Sequence, residues 1–354
     1  MRAAALCLLL LLALAPAAAR ADAVVFIYHR FGETDTATTN VTLAQFDAHL
    51  EHLARGGYAV WPLEKVVATL RDGGKLPERV VAITIDDGFA SIWSAAYPRL
   101  KARGFPFTVF INTDALDRGL AGYLSWAQVK EMARNGARFA DHTATHERVW
   151  ARRQGEDEAR WAARVRSDVG RAQQRLHAEL GPDANEDPRL FAFPYGEYDA
   201  ASAALIAQMG YVAFGQHSGA IARLEHRGSG SPLPRFAMSE RYAAAEEFAQ
   251  KARARALPVA VLAPADPRLA ARGATNPPPL RLRFADASWR ERIACYYSAQ
   301  RMRGSWSADG RELEVRAPER LGTGRHRYNC TGRDARGEWY WFSQPWVVED
   351  GALR

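Results

Sequence analysis

Val80-Val81-Ala82-Ile83-Thr84-Ile85-Asp86-Asp87-Gly88 is the stretch that decides how this chain is read. Its apolar, mostly β-branched run suits a strand covered on both faces, and it ends in two adjacent carboxylates. Side chains alternate along a strand, so Asp86 and Asp87 point in different directions. One can face a metal while its neighbour approaches a water on that metal. Acidic doublets are common at surface turns; the core-like approach sets this one apart. About 55 residues later, His142-Thr143-Ala144-Thr145-His146 follows the short apolar run that ends at Asp141. Two histidines four apart converge on one ion when they sit on a helical turn. One carboxylate and two imidazoles suit a divalent metal, and the second carboxylate stays free to take a proton from water.

Working outward, strand-like runs at 24–28, 80–85, 107–112, 138–141, 190–193 and 211–214 alternate with helical patterns. Thr42 with Gln45 and Ser125 with Gln128 form capping boxes, and Asp199 is placed to cap the helix that ends at Gly210. Arg160 to Arg175 reads as the solvated face of a long helix, because Trp161, Val165, Val169 and Leu176 recur at helical spacing. This alternation predicts a parallel sheet wrapped by helices. Site candidates at the ends of several strands favour a barrel-like closure over a doubly wound sheet. Residues 265–279 are proline-rich and read as a linker. From 280 to 354 helical periodicity disappears and short alternating runs predict a small all-β module. Its Trp289, Trp306, Trp339, Trp341 and Trp346 offer either a sugar-stacking platform or simply a core.

The whole chain has 354 residues, a net charge of +7 and 48% hydrophobic content, ordinary for a globular protein with one large domain and a smaller one. Arg2, the apolar run that starts at Ala3 and the small residues near Ala21 predict a secretory signal over residues 1–21. That leaves residues 22–264 as the main domain, exported to a periplasmic or extracellular location, with no stable membrane span once the signal is cut. An uncleaved anchor is the weaker alternative, because the run is shorter than the about 20 residues of a spanning helix. Cys295 and Cys330 remain after cleavage and are expected to form a disulfide. No nucleic-acid-binding module is recognisable.

Phe193-Pro194-Tyr195-Gly196 follows the strand at 190–193. The turn offers the Tyr195 N–H as an oxyanion donor, or is merely structural. Together, Thr84 to Gly88, His142 to His146 and Phe193 to Gly196 resemble the three ordered motifs of the polysaccharide deacetylases, carbohydrate esterase family 4, with its NodB-homology domain. Ile27-Tyr28-His29-Arg30 is similar to the start of the branch that contains exported poly-N-acetylglucosamine deacetylases. The resemblance implies an α/β fold, a distorted (β/α) barrel with seven strands. It implies a divalent ion, zinc first with cobalt or nickel as alternatives, on Asp87, His142 and His146. Asp86 would be the general base, and Pro194 and Tyr195 would contact substrate. The arginine that opens the family's third motif is replaced by Ala192, and Arg235 is the candidate to orient the base instead. The family's late acid-bearing segment is not recognisable. His29, at the end of the first strand, is the preferred acid, and His217 is the alternative at the substrate. The other histidines are expected at the surface.

The activity expected is hydrolytic removal of N-acetyl groups from an N-acetylglucosamine-containing polysaccharide or oligosaccharide. An O-acetyl esterase on xylan or another glycan, and a non-catalytic glycan-binding protein, are the competing readings. Oligomeric state is left open.

Overall fold

The computed structural model describes residues 22–224 and 230–350. The expected signal segment and His226 fall outside the described residues. Seven parallel strands form the main sheet: β1 (Ala23–Tyr28), β2 (Val80–Asp87), β3 (Thr108–Ile111), β4 (Arg138–Asp141), β5 (Arg189–Ala192), β6 (Tyr211–Phe214) and β7 (Phe236–Ala237). Their order is β7-β1-β2-β3-β4-β5-β6, with Ala59–Val60 as a short extra pairing on β2. A parallel bridge between Phe214 and Leu233, just before β7, closes the ring. The result is a distorted (β/α) barrel of the NodB type. The strand that sequence patterning missed is β7, whose two residues are too few to carry a period.

Strand β1 is buried along its whole length, as the run Ala23-Val24-Val25-Phe26-Ile27-Tyr28 requires. Around the sheet lie α1 (Leu43–Arg55), α2 (Leu63–Arg71), α3 (Tyr97–Ala102), α4 (Thr113–Asp117), α5 (Trp126–Arg134), α6 (Glu158–Leu180) and α7 (Ala200–Gln208). The last helix, α8 (Ala245–Ala252), packs against α1. Both capping boxes form, with Gln45 N–H donating to Thr42 and Gln128 N–H to Ser125. Asp199 accepts from Ser202 N at 2.7 Å and so caps α7. On α6, Trp161, Val165, Val169 and Leu176 are buried, while Arg171 and Arg175 pair with Asp114 and Asp117. His49 departs from the expected surface position. It is fully buried, stacked on Phe248 at 4.0 Å, and accepts from the Tyr28 hydroxyl.

The C-terminal β-rich part starts earlier than its composition suggests. Strands β8 (Arg255–Ala256), β9 (Val259–Ala263) and β10 (Arg268–Ala270) already pair into its sheets. Pro264 and Pro267 lie between β9 and β10, which pair in different sheets, so the expected linker carries a strand. The remainder comprises β11 (Leu280–Phe284), β12 (Ile293–Tyr297), β13 (Gln300–Arg301), β14 (Gly304–Trp306), β15 (Glu312–Val315), β16 (Gly324–Arg333) and β17 (Trp339–Glu349). Two sheets result, one around β17-β16-β12-β13 and one ordered β9-β11-β15-β14. Cys295 and Cys330 lie directly opposite on β12 and β16 and form a disulfide. Trp289 and Trp346 belong to the core between the sheets, whereas Trp341 meets Phe236 of the barrel edge to face at 5.3 Å.

Candidate active site

The loops at the C-terminal ends of the barrel strands converge on one cavity of about 790 Å³. Asp87 ends β2, and His142 and His146 follow β4. One Asp87 oxygen, Oδ1, lies 3.3 Å from His142 Nε2 and 3.1 Å from His146 Nε2. Ligands about 2.1 Å from a tetrahedral ion stand roughly 3.4 Å apart, so this spacing suits a shared divalent cation. Tautomer supports the same conclusion. His142 Nδ1 is 2.7 Å from the Ala192 carbonyl and donates to it, leaving the Nε2 lone pair toward Asp87. His146 Nε2 is buried and makes no hydrogen bond, so it is an orphaned lone pair in the same place. The three ligand atoms all lie within 4.8 Å of one another. Burial pushes the Asp87 carboxyl upward, but the adjacent His142 and His146 imidazoles outweigh it and hold the group well below the usual carboxylate range.

The histidines do not share a helical turn. Both follow β4 on an irregular bend, in which Thr143 N–H donates to Asp141 Oδ1 and His146 N–H donates to Thr143 Oγ1. Positive φ angles recur through these loops, at Asp87 (75°), Thr143 (64°), His146 (62°) and Tyr195 (61°). Such backbone costs on the order of 1–3 kcal/mol per residue and persists where surrounding contacts over-determine it. Behind the bend, burial raises the Asp141 carboxyl to about 8 despite its hydrogen bonds from Thr143 and Tyr211.

Asp86 faces the barrel interior, 4.0 Å from His142 Nε2. Arg235 grips it bidentately, with Nη1 2.7 Å from Oδ1 and Nη2 2.8 Å from Oδ2. Both residues are buried, and Arg235 also donates to Gly215 O and Thr84 Oγ1. Register sets Phe236 beside Phe26, and Phe26 beside Ile83, so Arg235 starts below Asp86 and reaches up inside the ring. At the position of the motif arginine, the Ala192 carbonyl instead orients a histidine.

His29 lines the cavity and is nearly buried. The Gln216 amide donates to its Nε2 at 2.8 Å, which leaves the proton on Nδ1, a buried atom with no partner. Burial lowers its pKa, while Asp87 and Asp86 act in the opposite sense. Tyr195 also lines the cavity, its ring 4.7 Å from that of His146. Its turn is closed by Gly196 N–H to Phe193 O and Glu197 N–H to Pro194 O. Gly196 is required there, since a Cβ would lie 2.1 Å from the Gln216 Cβ.

Two expected substrate contacts are corrected. Pro194 is buried and shapes the turn without lining the cavity. His217 is also fully buried, its ring beside Tyr198, while Gln216 and Ser218 on either side face the cavity. What sequence reasoning missed is the opposite wall. Tyr296, Arg325, Arg327, Asn329 and Thr331 of the C-terminal sheets line the same cavity, beside Trp339 and Trp341 of the tryptophans offered as a platform. Alternation along β16 was the available signal for it.

Against this geometry, residues 73–214 match the sequence profile described as Polysaccharide deacetylase. YxkH of Bacillus subtilis (strain 168), named as a polysaccharide deacetylase, is 30% identical over 122 residues, covering 34% of this chain and 42% of that protein. The poly-beta-1,6-N-acetyl-D-glucosamine N-deacetylase of Escherichia coli (strain K12) is 25% identical over 193 residues, covering 46% of this chain and 28% of the relative. The chain therefore spans less than half the length of either. In fold it is similar to the Streptococcus pyogenes deacetylase PplD, solved with acetate, with TM-score 0.56 and 21% identity over 66% of this chain and 99% of that one. IcaB from Ammonifex degensii aligns with TM-score 0.53 and 23% identity over the same 66% and 99%.

Proposed function

We propose that this chain, whose residues 73–214 match the polysaccharide deacetylase profile, hydrolyses the N-acetyl groups of an N-acetylglucosamine-containing glycan with metal-activated water. One observation carries the reading. Three convergent ligand atoms stand beside a second carboxylate that is fixed by an arginine and left out of the ligand set. A divalent ion on Asp87, His142 and His146, zinc first, would supply Lewis acidity and bring the pKa of a bound water from 15.7 toward about 7. Asp86 then takes the proton of the attacking water, and Arg235 keeps its carboxylate aimed through two hydrogen bonds. The Tyr195 N–H donates to the oxyanion that forms on the acetamide carbonyl. His29, once it carries a second ring proton, gives one to the departing amine. Export is part of the same reading, supported by the apolar segment after Arg2 and by the disulfide. Among the described residues no helix is long and apolar enough to cross a membrane.

The test is metal content of the purified protein, followed by acetate release from N-acetylglucosamine oligomers and from acetylated xylan, with and without chelator. Chelator-sensitive acetate from the oligomers is the expected result. Acetate from xylan alone would make the chain an O-acetyl esterase, and bound metal without acetate from any glycan would make it a binding protein.

A further inference from the structure

The wall of the cavity opposite the metal candidates is one face of the C-terminal sheet. Along β16, Tyr328 and Cys330 turn into the module core, while Arg325, Arg327, Asn329 and Thr331 turn to the cavity. Trp341, paired with Thr331, extends that face on β17, and Trp339 lies beyond it. Arg327 stands four residues from Thr331 along the strand, roughly 14 Å from the tryptophan row. An aromatic platform and a cation therefore share one wall, spaced for different units of an extended chain.

Charge around Arg327 does not balance. Arg325 beside it is committed: its Nη1 donates to Tyr195 O at 2.8 Å and its Nε lies 3.5 Å from Glu197. Glu197 is itself shared with Arg148. Lys251, the other cation of the cavity, pairs with Glu247 at 3.2 Å. Asp87 belongs to the ligand set. Among the described residues Arg327 has no ion pair or side-chain hydrogen bond, and its side chain is half-buried in the cavity wall. Burial, reinforced by Arg325, lowers its pKa, and Tyr242 opposes weakly. A desolvated guanidinium without a counter-ion is costly, and a planar carboxylate is the partner its fork fits best.

We propose that Arg327 forms an anion subsite, so that the preferred substrate is an acetamido-sugar glycan with a carboxylate on a neighbouring unit. This rests on the deacetylase reading above and adds the class of glycan. Two sources share the chemistry, a uronic acid in the chain and a lactyl ether on the sugar.

The experiment compares chitotetraose, a hyaluronan tetrasaccharide and a β-1,4-linked N-acetylglucosamine–N-acetylmuramic acid tetrasaccharide. Acetate release gives kcat/KM for each, and calorimetry on the Asp86→Asn protein gives binding without turnover. At least one carboxylate probe is expected to exceed chitotetraose tenfold in both, and which one does identifies the source. Arg327→Gln is expected to reduce that ratio tenfold or more, with Arg327→Lys recovering part of it and metal content constant in both variants. Equal use of the neutral probe, or a ratio that Arg327→Gln leaves intact, overturns the subsite. If no probe yields acetate, the deacetylase reading falls, while the binding ratios still decide the role of Arg327.

Discussion

At the scale of single residues, neighbouring aspartates take different parts because strand alternation turns them apart. Asp87 meets two imidazoles and Asp86 meets a guanidinium. Asp86→Asn should retain the metal and lower kcat about 10²–10⁴-fold, the usual worth of a positioned general base. Asp87→Ala or His146→Ala should instead leave the purified protein without metal. Elemental analysis beside an acetate assay separates the two outcomes, and full turnover by Asp86→Asn would remove that residue from the mechanism. Arg235→Met tests the buried pair. It strands a carboxylate with no counter-ion, a loss of about 3–5 kcal/mol in unfolding stability, and it releases the base from its orientation. Urea melts and kcat should both fall; a variant as stable and as fast as the parent would show that Asp86 needs no such support.

Elements differ in how openly the sequence announces them. The strands at 80–85, 107–112 and 211–214 were legible because a buried parallel strand leaves a dense apolar run. The boxes at Thr42 and Ser125 were legible because capping is local chemistry. The bend that carries His142 and His146 was not, since four-residue spacing also fits a helical turn and only Thr143 and Asp141 reveal the actual path. Arg235 was reachable only as a candidate, because a long-range ion pair leaves no local period. His49 was misplaced for a related reason. It joins α1 to Tyr28 of β1 and to α8 through Ala243 O and Phe248, contacts remote in sequence. Burial takes its pKa from 6.5 down to about 4. Its folded value lies below the unfolded one, so the stabilisation is complete above about pH 6.5 and is lost as pH falls toward 4. The full swing is roughly 3 kcal/mol. Denaturant melts should show the stability gap between parent and His49→Gln narrowing from pH 7 to pH 4; a gap independent of pH would mean that folding leaves the pKa of the imidazole unshifted.

For the whole molecule, the two parts share one site. The composition change near residue 264 separates a barrel from a β module, yet the fold joins them through Trp341 on Phe236 and Arg325 on Tyr195 O. Phe236 adjoins Arg235, so packing of the module bears on the strand that positions the base. Trp341 is half-buried, and truncation of a fully buried aromatic costs about 3–5 kcal/mol. Trp341→Ala should therefore lose a smaller amount, on the order of 2 kcal/mol, together with kcat/KM on any oligosaccharide long enough to reach the wall. Metal affinity should not change, because none of the ligand atoms belongs to the module. Thermal melts, metal titration and kinetics on oligomers of increasing length check this together. Length-independent kinetics in Trp341→Ala would show that the wall, though it faces the cavity, does not carry the chain.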